Sequence, residues 1–223
     1  MADVFGDILP LAVGVVISPI PIIATILMLL APRAGATSMG FLIGWVLGIA
    51  AATTVFTVVS ASVGLTATSD SSTSTDWIKV ALGILLLVLA GRQWRSRPKS
   101  GAEASLPAWM SAVDTFAFGK AAGLGFLLSA VNPKNLLLCA AAGTEIGGSA
   151  LSNGSRAVLV LVFTVIAACS VAIPVIGYAV AKERMRQPLG ELKTWLQQHN
   201  AAVMSVLLLV IGVVLIGKGI GGP

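Results

Sequence analysis

Six long stretches of this chain carry almost no charge, and that pattern decides what it can fold into. Uncharged runs extend from Ile8 to Ala31, Thr37 to Leu65, Val80 to Gly91, Ala157 to Ala181 and Asn200 to Gly217. A sixth, Ala121 to Thr144, is interrupted only by Lys134. A helix needs ~20 mostly apolar residues to cross the hydrocarbon of a bilayer. The Val80 run is short, but Trp77 and Lys79 before it and Arg92 and Trp94 after it extend it by snorkelling and interfacial anchoring. With 57% of its 223 residues hydrophobic and 10% charged, the chain has more apolar surface than a water-soluble domain can hide. It reads as an all-α polytopic membrane protein with six transmembrane helices, forming a single transmembrane domain over residues 1–223.

Lysine and arginine accumulate in the loops that face the cytoplasm. The connections after helices 1, 3 and 5 hold Arg33, then Arg92, Arg95, Arg97, Lys99 and Lys120, then Lys182, Arg184, Arg186 and Lys193. The opposite side holds only Lys79, Arg156 and Lys218, together with Asp3, Asp7, Asp70, Asp76 and Glu145. This asymmetry puts both termini outside and makes Thr66 to Asp76 an external, mobile loop. The start, MADVFGDILP, has acids where a signal peptide has basic residues, so no cleavage is expected. The net charge of +5 sits in these loops, which suits anionic lipid headgroups and gives no reason to expect nucleic acid. In the longest connection, Trp109, Met110, Val113 and Phe116 fall at helical spacing; this predicts a short interfacial helix on the inner leaflet with Asp114 on its polar side. A plain re-entry segment before helix 4 fits the same residues.

Two of the apolar runs contain proline where an unbroken helix would exclude it. Pro19 lies near the middle of the first run, in VVISPIPII, and Pro133 near the middle of the fourth, in SAVNPKNLL. The two prolines are 114 positions apart; the second run shifted by that amount covers 151 to 179, against an observed Ala157 to Ala181. Three spans per half make the second copy enter from the opposite side, the pattern of a 3+3 inverted repeat with broken helices 1 and 4. The halves are about 4–96 and about 119–220, joined by a cytoplasmic linker of about 97–118 that includes the interfacial helix.

Ser18-Pro19 and Asn132-Pro133 each read as an N-cap followed by proline at the first helical position. Each break then leaves a fresh helix N-terminus at mid-membrane, where free amides and the partial positive charge attract anions. Lys134 adds a full charge at one of them, and Pro19 and Pro21 remove two donors at the other. The helix 4 tip is therefore the stronger expected anion site. A lysine at the bilayer centre costs at least ~2.5 kcal/mol on insertion scales, which argues against an idle one. Ser18, Pro19, Pro21, Asn132, Pro133, Lys134 and Asn135 are the candidate substrate-binding residues. Arg33, Asp114 and Trp109 are candidates for gating or cytoplasmic contact.

The combination of ISPIPIIATILMLLAPRA, GFLIGWVLG, LPAWMSAVDTF and LLSAVNPKNLLL resembles the glycolipid-addressing, or sulfolipid-addressing, proteins within the broad lysine-exporter superfamily. The resemblance runs in order over essentially the whole chain, with NPKNL its most specific part and SPIP with the downstream Arg33 second. It implies a six-helix protein of the bacterial inner membrane that helps move a glycolipid or similar envelope lipid outward. It also puts Ser18, Pro19, Pro21, Arg33, Asn132, Pro133 and Lys134 at the family's motif positions. A lipid synthase or envelope transport complex is an implied partner. Amino-acid exporters of the wider superfamily carry an acidic residue just after the helix 1 prolines, where this chain has Ile22 and Ile23.

The alternative within the same architecture is an exporter of an amino acid or other small polar solute. Divalent metal export is disfavoured, because all nine acids fall outside the uncharged runs. Gly40, Gly44 and Gly48 on helix 2 give a close-packing ridge that suits internal packing, the seam between halves or a homodimer contact. Cys139 and Cys169 lie in the second half, away from either break, and read as packing thiols. His199 is the single histidine and builds no metal site. A Ser129–Lys134 protease dyad would span the proline break, which leaves its geometry uncontrolled. No enzymatic activity, metal or cofactor is expected.

Overall fold

The computed structural model describes residues 1–62, 72–96, 113 and 115–220. Among these residues seven helices follow in order: α1 Ala2–Val16, α2 Pro19–Leu30, α3 Ala34–Ser62, α4 Ser72–Arg95, α5 Phe118–Ala130, α6 Pro133–Gly148 and α7 Asn153–Ile220. There is no strand among the described residues. The last helix breaks at Ala181, where φ −136° and ψ 49° leave the helical region, and divides into arms Asn153–Lys182 and Arg184–Ile220.

Among the described residues, four helices are long and apolar enough to cross a membrane, and up to six spans result if each bent pair is one. The bent pairs are α1 with α2, at 50°, and α5 with α6, at 61°. They fall at the two prolines singled out above: Pro19 opens α2 and Pro133 opens α6. The physical reason is the one the sequence offers. A proline at the first helical position has no N–H to lose, but it cannot accept continuation from the preceding turn without a clash.

The outside of the bundle is hydrocarbon-like: Leu161, Val165, Ile173 and Val180 on α7 and Val55 and Val58 on α3 are all exposed. Phe41, Trp45, Ile49 and Phe163 are fully enclosed. Small residues set the contacts between helices. Gly40, Gly44 and Gly48 lie against Phe118, Ala122, Phe126 and Ser129 of α5, while Gly125 faces back onto Phe41 and Trp45. Further along α3, Thr53, Phe56, Thr57 and Ser60 meet Gly143 and Gly147 of α6. The glycine ridge is thus an internal contact, and α3 lies along both pieces of the second bent pair. Ion pairs tie other elements together: Lys79 of α4 is 3.4 Å from Glu145 of α6, and Lys218 of α7 pairs with Asp7 of α1.

Three expectations change. Residues Ser72–Asp76, expected in a mobile loop, form the first turn of α4; the rest of that loop lies outside the described residues. The basic segment after Lys182, expected as a loop, is helical and continuous with the last span from Arg184 to Ile220. At 37 residues this arm is about 55 Å long, well beyond a ~30 Å core, so the uncharged run Asn200 to Gly217 understated it. Of the expected interfacial helix, Trp109, Met110 and Asp114 lie outside the described residues. Val113 is buried in the main core and Phe116 packs against it, so these two face protein.

Candidate functional site

The backbone at each break is extended for a single residue. Ser18 has φ −107° and ψ 100°, and Asn132 has φ −59° and ψ 119°. The two N-caps then behave differently. Asn132 Oδ1 accepts from the Lys134 amide at 3.1 Å, the cap expected from the sequence. Ser18 makes no cap bond. A cap side chain reaches the second or third helical amide, and Pro21 occupies the third position, so one of its two usual donors is missing. The expectation of a Ser18 cap is therefore corrected: the hydroxyl is turned across to the other bent pair.

That turn brings the two breaks together. Lys134 Nζ donates to Ser18 Oγ at 2.6 Å and to the Ile17 carbonyl at 3.4 Å. Ser18 Oγ donates to Asn135 Oδ1 at 3.2 Å, and Asn135 Nδ2 donates to the Leu128 carbonyl at 2.9 Å. Ile17 and Leu128 lie at the C-terminal ends of α1 and α5, where helix carbonyls have no intrahelical partner. Lys134, Ser18 and Asn135 are all buried. The network thus satisfies a carbonyl at the end of α1 with Lys134 from the other half of the chain, and one at the end of α5 with Asn135 from just across its own break. No carboxylate pairs with Lys134 among the described residues.

A cleft of about 220 Å³ opens on this junction. Ser18, Pro19, Pro21, Asn132, Pro133 and Lys134 line one side of it. Asn135 is fully enclosed behind them, holding Ser18 in place. The other walls come from elements that gave no motif: Leu89, Arg92 and Gln93 on α4, and Met204 and Leu208 on the second arm of α7. Leu89, Arg92 and Gln93 are spaced to share one helix face, as are Met204 and Leu208. Arg92 had counted only as one of the basic residues at a span's end. No linear spacing places it opposite Pro133; only the packing of α4 does so. The cleft therefore has two cationic side chains, Lys134 at its base and the exposed Arg92 toward the end of α4, with apolar walls between.

The remaining candidates stand apart. Arg33 is exposed in the α2–α3 turn, where its carbonyl accepts from the Thr37 amide and hydroxyl, and it does not line the cleft. Asp114 and Trp109 lie outside the described residues. Ser129 bonds back to the Gly125 and Phe126 carbonyls of its own helix, so its hydroxyl is engaged away from Lys134. Cys139 is buried in α6 and Cys169 half-buried in α7, both as free thiols. His199 stacks on Trp195 one turn before it, with ring centroids 4.8 Å apart.

Residues 8–221 match the model of a family described as Sap, sulfolipid-1-addressing protein. No curated protein and no solved structure matches the chain.

Proposed function

The chain belongs to the sulfolipid-1-addressing protein family, and on that premise we propose that it moves an envelope lipid outward across the membrane with the headgroup held in the Lys134 cleft. The single observation that carries this reading is the position of Lys134. It is buried at the meeting point of two broken spans, without an acidic partner among the described residues, and it lines an open cleft that Arg92 also faces. An anionic or polar headgroup satisfies both cations and the α6 N-terminus, while its acyl chains remain beside the apolar helix faces.

Movement of the headgroup requires the site to change sides. The two bent pairs, read as matching halves of an inverted repeat, supply a junction about which they rock. The ion pairs Lys79–Glu145 and Lys218–Asp7 join the proposed halves and hold one end together. The cleft extends from the break toward the basic end of α4, which the charge asymmetry places in the cytoplasm. On this reading the conformation described is loaded from inside.

The test is lipid profiling of a deletion strain complemented with wild type or Lys134→Ala, comparing surface with total lipid. Restored surface lipid with wild type alone supports the proposal. A second reading, export of an amino acid or small polar solute, draws on the modest cleft volume of about 220 Å³. An unchanged surface lipid with an altered intracellular amino-acid pool would favour it.

A further inference from the structure

A second cavity, of about 620 Å³, lies between α3 and the first arm of α7 and shares no lining residue with the Lys134 cleft. Its α3 wall runs from Val46 to Ser62, about 24 Å at 1.5 Å per residue. Charge is confined to one end, where Arg156 lines the cavity with Ser62 and Asn153. Deeper in, Thr57 and Thr164 bond back to carbonyls of their own helices at 2.8 Å each, so they present no free donor to the cavity. Ala50, Val58 and Leu161 make the rest of this surface groove largely apolar, with Thr54 among them.

Arg156 marks the polar end. Its Nη2 donates to the Ser149 carbonyl at 2.6 Å, which fixes the guanidinium. Its Nε is enclosed with no partner among the described residues. The half-buried guanidinium thus keeps unmet hydrogen-bonding capacity beside the groove, and an anionic oxygen is the group that matches it. A long, largely apolar groove ending at one anchored guanidinium has the form of a single lipid.

We propose that this groove holds one anionic lipid, its headgroup on Arg156 and one acyl chain along α3 between Ala50 and Val58. The site goes beyond the function proposed above and stands or falls without it. A resident acidic phospholipid and a transported acidic glycolipid share the chemistry it recognises.

Native mass spectrometry of the full chain tests this, with phosphatidylglycerol and phosphatidylcholine of matched chains as probes. Wild type is expected to retain one phosphatidylglycerol about tenfold better than phosphatidylcholine, and Arg156→Gln to lose that preference. Leu161→Phe, which fills the groove and leaves the Arg156–Ser149 bond alone, is expected to lose the bound lipid itself. Lys134→Ala is expected to keep it, so failure of the cleft and failure of the groove are told apart. Equal retention of both probes, an unchanged preference in Arg156→Gln, or loss of the lipid in Lys134→Ala would overturn the proposal. Displacement of the lipid by a second copy of the chain would do the same. Among co-purified lipids, an acidic phospholipid or an acidic glycolipid meets it, and only neutral or zwitterionic species contradict it.

Discussion

Lys134 and Ser18 are 116 positions apart in the chain and share a 2.6 Å hydrogen bond between the two broken spans. The bond has a direction. The lysine donates to the serine, the serine to Asn135 and the asparagine to the Leu128 carbonyl, so each group polarises the next. Lys134 therefore has two tasks, closing the junction and facing the cleft, and substitutions separate them.

Lys134→Gln keeps a hydrogen-bond donor near Ser18 and removes the charge. The variant is expected to insert and accumulate like wild type while outward lipid movement falls at least about tenfold, the loss of one charge-assisted contact. Surface-to-total lipid ratio, with membrane-fraction abundance alongside, measures this; undiminished movement would leave the lysine a structural role alone.

Ser18→Ala takes the acceptor from Lys134 and the donor from Asn135 Oδ1. Leaving buried polar groups unpaired costs about 1–3 kcal/mol, so the Tm in detergent is expected to fall by several degrees. A Tm equal to wild type would mean that the junction relaxes without penalty.

Arg92→Gln tests the cationic residue that only packing revealed. Headgroup binding is expected to weaken, and its salt sensitivity to shrink, because the exposed guanidinium acts through a screened field. Lys134 is enclosed, so the salt dependence that survives should be small. Binding of a labelled anionic lipid at two ionic strengths reads both effects.

Gly44→Ala should destabilise the bundle by about 1–3 kcal/mol, because a Cβ there overlaps the Ala122 carbonyl of the α5 backbone. Gly123→Ala on the neighbouring helix meets nothing within 4 Å and should be neutral or slightly stabilising. Thermal unfolding of the two variants side by side checks the contact; equal effects would contradict the α3–α5 packing.

Exchanging the Lys79–Glu145 pair probes the tie between α4 and α6. Lys79→Glu alone should lower both stability and yield, and adding Glu145→Lys should restore most of the loss, since the reversed pair keeps opposite charges about the same distance apart. No recovery in the double variant would show that the two side chains act separately.

The elements most legible from sequence were those where one residue's chemistry dictates backbone geometry. Proline within an apolar run fixes where a span must break, and Asn132 before Pro133 announces its cap, because neither depends on a distant partner. Uncharged length marked the spans for the same local reason. It missed the start of α4 and the amphipathic turns after Arg184, since a polar helix continues a membrane helix without any apolar signal.

What only the tertiary structure decided is which groups face one another. The lost Ser18 cap, the α1 carbonyl met by Lys134 from the opposite half, and Arg92 beside the break all arise from helices packed side by side. Sequence order determines the local backbone, because torsions and missing amides act within a turn. Contacts between residues more than a hundred positions apart depend on which helices pack side by side, a matter of shape that charge and hydropathy along the chain do not encode.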